Sequence, residues 1–133
     1  MKAETRALYL PVALRIVGLF AVFGFYPLTV IWPSGWAWHT GPRSEYLEMI
    51  IAIYATLGVF LWIAARKPFA HTSLISFTIW SSVVHGLVMT AQALSNSSHV
   101  HHLYGDVPAL LLVAAVLAYL FPEAISPAKS SAA

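Results

Sequence analysis

The chain has 133 residues, 59% of them apolar and only 9% charged, and a formal net charge of +2. A soluble domain carries about 25% charged residues, so charge this sparse cannot cover a water-facing surface, and the natural solvent for most of the chain is lipid. No cysteine is present, which excludes disulfides, thiolate metal sites, iron–sulfur clusters and covalent c-type haem, and no Lys/Arg cluster offers a nucleic-acid footprint.

Four apolar segments are long enough to cross a bilayer, which takes about 20 helical residues at 1.5 Å each. The first covers residues 10–32: no charge falls between Arg15 and Arg43, and Arg15 is near enough to its start to snorkel. It is too long for a signal-peptide core and is expected to be retained. Pro11 suits its first turn, and Pro27 should kink it. The second span covers 45–65, with Ser44 as N-cap and Arg66-Lys67-Pro68 as its stop. The third covers 72–94, opened by Thr72 and Ser73 and closed by Ser95-Asn96-Ser97-Ser98. The fourth covers 103–121 and ends at Pro122; its charge-free part is short, which puts Asp106 at or slightly inside the membrane edge. The expected fold is all-α, a four-transmembrane-helix bundle running up-down-up-down. Residues 1–122 make a single domain and 123–133 a short, disordered tail.

Lysine and arginine placement sets the orientation. Lys2, Arg6, Arg15, Arg66, Lys67 and Lys129 fall on one side and only Arg43 on the other. Both termini are therefore expected in the cytoplasm, in the inner (cytoplasmic) membrane, with loops 33–44 and 95–102 facing outward. Trp32, Trp36 and Trp38 cluster at that outer face, where interfacial tryptophans belong.

The third span carries the most information. Thr78, Ser82, His85, Met89, Gln92 and Asn96 recur at steps of three and four, so one helix face holds them all. A polar face in hydrocarbon turns towards other helices or a wet cavity. Interhelical hydrogen bonding accounts for the Ser and Thr residues. His85 lies about halfway along the span, where an ionisable group is a functional candidate by default, although a neutral histidine bonded to a serine or a carbonyl is also cheap.

Glu45, Glu48 and Asp106 sit at the outer ends of spans 2 and 4. Acids favour helix N-termini through the dipole, and Asp106-Val107-Pro108 reads as an N-cap followed by proline. Alternatively, Glu48, Asp106 and Gln92 meet at one depth and bind a cation or relay a proton. His39, His99, His101 and His102 gather on the same side with the donor density of a zinc or copper site, which makes a metal ion a candidate cofactor there. A haem held by two histidines of one chain is disfavoured: His71 and His85 are about 21 Å apart along one helix. Nucleophile elbows, phosphate loops and zincin motifs are absent from the sequence.

The runs IWPSGWAWH (31–39), EMIIAIYATLG (48–58), WSSVVHG (80–86) and GDVPALL (105–111) together resemble a family of small bacterial four-helix membrane proteins classed as a domain of unknown function. The resemblance extends over residues 8–121 and implies the same four-span fold, without an activity. The four runs include His39, Glu48, His85 and Asp106 and leave out His99, His101 and His102.

Three functions fit these features. The leading one is a membrane protein that binds a small ligand, ion or lipid-like molecule in a polar cavity in the outer half of the bundle, through His85, Glu48, Asp106, Gln92, Ser82 and Met89. The second is a small isomerase or cyclase acting on a hydrophobic substrate, with Glu48 or Asp106 as acid, His85 as base, and Phe25, Tyr54, Trp62 and Trp80 facing a cationic intermediate. The third is a structural subunit of a homo-oligomer or larger membrane complex, packed through Gly18, Gly24, Gly58 and Gly86.

Overall fold

The computed structural model describes residues 3–39 and 44–124; most of the expected tail lies outside them. All the regular elements among the described residues are helical. They are α1 (Ala3–Phe23), α2 (Phe25–Ile31), α3 (Pro33–Trp36), α4 (Glu45–Ala64), α5 (Thr72–Ser95) and α6 (Asp106–Leu120), with 3-10 turns at Pro68–His71, Ser97–Tyr104 and Pro122–Ala124. Four stretches are long and apolar enough to cross a membrane: Ala3–Phe23, Glu45–Ala64, Pro68–Ser95 and Ser97–Leu120. The chain is a multi-pass, all-α membrane bundle.

The first span differs in detail from its expected form. Helix α1 already begins at Ala3, so Pro11 lies inside it and not in its first turn. The break falls at Gly24, between α1 and α2. Pro27 causes it one turn upstream, because proline has no N–H to give the carbonyl of Phe23 and its ring crowds that position. The chain bends without unwinding: Gly24 N–H donates to Phe20 O at 2.7 Å and Leu28 N–H to Gly24 O at 3.3 Å. Pro33 then opens the single turn of α3.

Helix α4 has the expected cap, with Ser44 Oγ accepting from Leu47 N–H at 3.3 Å. It closes through tight turns, Arg66 N–H to Ile63 O at 3.1 Å and Lys67 N–H to Ala64 O at 3.0 Å, ahead of Pro68. At the start of the fourth span, residues 97–104 wind as a 3-10 helix, and Gly105 takes the cap position of α6. Asp106 is thus the first helical residue and not the N-cap, and its carboxylate is used elsewhere.

Packing runs α4–α1–α6–α5 around the bundle, and α4 makes little contact with α5 although only a short turn joins them. The α1–α4 contact is the closest. A Cβ on Gly18 would lie 2.7 Å from Gly58 O, and one on Gly58 would lie 2.5 Å from Gly18 O. With lipid on the outside there is no hydrophobic drive between spans, so association rests on such close backbone approach and on dispersion. The half of the bundle that holds both described chain ends is solid, filled by Leu10, Leu14, Leu61, Ile75, Ile79, Leu117 and Phe121. Large apolar side chains such as Ile16, Ile53, Phe77 and Leu112 cover the outside. The other half, which carries the tryptophan-rich segment 32–38, is built differently.

Candidate functional site

A cavity of about 550 Å³ lies in the tryptophan-rich half, lined from both α4 and α5. The open seam between those helices makes room for it. The polar face of α5 supplies His85, Met89 and Gln92 along one wall, and α4 supplies Tyr54. Phe25 of α2, Trp36 of α3 and Trp38 after it add aromatic walls, and Asp106 enters from the start of α6. Beneath it, Met89, Val107 and Leu110 form a small apolar cluster with Trp38 and Tyr54 against it.

Asp106 is the centre of a buried polar cluster. Trp38 Nε1–H donates to its Oδ2 at 2.7 Å. His102 Nδ1 lies 3.1 Å from Oδ1 and 3.0 Å from Oδ2, one helical turn away. The indole of Trp38 also stacks on the His102 ring, centroids 3.9 Å apart at 26°, and on His99 at 4.9 Å and 28°. His102 is 1% exposed and Asp106 6%, so these groups have exchanged water for one another. A buried carboxylate without such donors would be strongly destabilising.

A second pair spans the α4–α5 seam. Tyr54 Oη is 2.6 Å from His85 Nδ1, and their rings lie 5.9 Å apart. With the phenol donating to Nδ1, the imidazole carries its remaining proton on Nε2. Phe25 packs on Tyr54 at 4.9 Å, and Trp36 touches both Phe20 and Phe25 at 5.9 and 5.8 Å. Trp36 Nε1–H is buried without a partner among the described residues.

Backbone closeness fixes the loop that carries Trp38. A Cβ on Gly105 would run into the carbonyl of Gly35. At Gly35 a Cβ would instead meet the Trp32 ring, and glycine at 105 lets the segment after α3 lie against the 3-10 turn before α6. Trp38 and Asp106, 68 residues apart, meet because of that contact.

Of the residues singled out from the sequence, His85, Asp106, Gln92 and Met89 line the cavity. Ser82 lies deeper, on a separate void of about 30 Å³ that it shares with Thr78. Glu48 is exposed and lines neither. Among the outer histidines, His99 lines the cavity, His102 is buried on Asp106, and His101 is exposed. His39 is half-buried, with Nδ1 unpartnered among the described residues. No three His or acidic side chains among the described residues converge as a metal-holding group. Trp62 and Trp80 are 40% and 54% exposed and line neither void, whereas Phe25 and Tyr54 line the cavity. Trp36 and Trp38, read from sequence as interfacial, turn inward. The signal that finds them is the pair of glycines, Gly35 and Gly105, which no local pattern connects.

Fold and site together define a four-span membrane bundle with a mainly apolar, aromatic-walled cavity at one end that carries a few polar groups. The chain belongs to the family of unknown function DUF6632, whose model matches residues 5–131. That membership agrees with the resemblance drawn from the four sequence runs. Neither a curated protein nor a solved structure matches the chain.

Proposed function

We propose that this protein binds a small amphipathic molecule in the cavity of its tryptophan-rich half. The observation that carries the reading is the cavity itself: about 550 Å³, bounded by aromatic and aliphatic walls, with Asp106, His85 and Gln92 converging on it. Ligand sites occupy clefts of roughly 300–1,000 Å³ with mostly apolar walls and a few placed polar groups. A bundle that served only as packing would close the α4–α5 seam with small residues, as α1 and α4 do at Gly18 and Gly58. The Lys/Arg distribution supports a cytoplasmic membrane, cytoplasmic termini and a cavity in the outer half.

The test is retention of a small molecule by protein extracted gently from its own membrane and analysed by mass spectrometry after denaturation. His85→Ala and Gln92→Ala are expected to release the retained molecule while the fold, followed by thermal melting, persists. Glu48→Ala is expected to retain it, because Glu48 lies off the cavity. Equal retention in all three variants and the wild type would contradict the reading.

A further inference from the structure

We infer that the cavity selects an organic ammonium ion. This rests on the ligand-binding reading and specifies the chemistry of the ligand. Three observations point the same way. First, Asp106 is the sole acidic side chain among the described residues lining the cavity, and no Lys or Arg is among them. A carboxylate in a bundle end poor in water favours a cation beside it and disfavours an anion.

Second, the carboxylate has capacity left. Three donors reach it: Trp38 Nε1–H at Oδ2, His102 Nδ1 shared between the two oxygens at 3.1 and 3.0 Å, and the backbone N–H of Val107. A carboxylate has about four acceptor sites, so these three donors leave room for a further positive group beside it. His102 does not line the cavity, so the ligand's approach to Asp106 does not compete with it for space.

Third, five aromatic side chains, Phe25, Trp36, Trp38, Tyr46 and Tyr54, line the same cavity. Aromatic rings around one carboxylate make the environment that recognises alkylammonium groups, because the ring quadrupole attracts a soft cation that water holds weakly. A compact inorganic cation would instead need several oxygen or nitrogen ligands at once. The described residues provide no such group of three. The cavity volume also admits a molecule of many heavy atoms, not only an ion.

The ammonium could belong to a free amine or to a lipid headgroup. Intrinsic tryptophan fluorescence of the full chain in maltoside detergent reports binding, since Trp36 and Trp38 line the cavity. Four probes are titrated: benzyltrimethylammonium, its uncharged isostere neopentylbenzene, the anion 3-phenylpropionate, and dihexanoyl phosphatidylcholine. The expected result is saturable binding of benzyltrimethylammonium about thirtyfold tighter than neopentylbenzene, the size of a desolvated cation–π contact, with 3-phenylpropionate weakest. Asp106→Asn should erase the preference for the cation while neopentylbenzene binds as before. Phosphatidylcholine binding tighter than benzyltrimethylammonium assigns the same ammonium site to a headgroup; weaker binding assigns it to a free amine. Neopentylbenzene binding as tightly as the cation, or 3-phenylpropionate binding tightest, overturns the inference and leaves the ligand-binding reading standing. If none of the probes gives a saturable change, both fall. The wild-type comparison decides the matter even if the Asn variant fails to fold.

Discussion

Replacing Trp38 with phenylalanine keeps an aromatic ring beside His102 and removes one atom group, the indole N–H that donates to Asp106 Oδ2 at 2.7 Å. A hydrogen bond to a charged acceptor contributes about 1.5–3 kcal/mol, so Trp38→Phe should destabilise the bundle by about 2 kcal/mol. Asp106→Ala should cost more. It removes the acceptor for both Trp38 and His102 and leaves two buried donors unsatisfied, each at roughly 1–3 kcal/mol. Once the carboxylate is gone, however, the Trp38→Phe change removes an orphaned donor and not a bond. The double variant should therefore fall short of the sum of the singles by about 1.5–3 kcal/mol. Thermal or SDS-induced unfolding of the full chain in detergent measures each corner of this cycle. Additivity within about 0.5 kcal/mol would mean the Trp38–Asp106 contact does not hold the two segments together, and the account of this end of the bundle would be wrong.

Other substitutions separate backbone contacts from flexible ones. Gly18→Ala places a Cβ 2.7 Å from the backbone carbonyl of Gly58, which cannot yield, so α1 and α4 must move apart at a cost of about 1–3 kcal/mol. Gly86→Ala places its Cβ 3.1 Å from Leu111 Cδ2, the end of a side chain that can turn aside, and its melting should stay closer to wild type. His102→Ala should lower stability by about 2 kcal/mol, through loss of the Asp106 contacts and the Trp38 stack, as read by the same unfolding assay. His101→Ala, at an exposed position, should remain within about 0.5 kcal/mol of wild type. Gly105→Ala should push the 3-10 turn off Gly35 and shift the emission of Trp38 towards that of a solvated indole, measured by tryptophan fluorescence.

The spans were legible because they depend on local properties: charge-free length, a serine cap at 44 and proline stops at 68 and 122. The inward face of α5 was legible for the same reason, since a helix with polar residues at steps of three and four must hide them. The start of α1 was not, because Glu4 and Arg6 read as part of a polar terminus while the backbone is helical through them. Nor was the position of the kink, which proline transmits one turn upstream to Gly24. The site was half legible. His85, Met89, Gln92 and Asp106 followed from helix faces and from charge in an apolar setting. Glu48 shares those properties, yet the rotation of α4 that puts Tyr54 towards His85 leaves Glu48 exposed. Rotation of a mostly apolar helix is set by its neighbours and leaves little trace in its own composition. Tryptophans near a membrane edge usually sit at the interface, a rule that does not tell which way Trp38 turns. Its true position depends on Gly35 meeting Gly105, a contact between segments 70 residues apart in sequence.

The most direct test of the central claim is a native mass spectrum of the gently extracted full chain beside that of a cavity-filled variant, Met89→Trp. Met89 is 6% exposed and lines the cavity, so the added indole volume must go into that space. The account predicts that the wild type carries one small molecule of defined mass and that the filled variant, folded by its melting profile, is bare. The same small-molecule adduct on both proteins, or on neither, would contradict it.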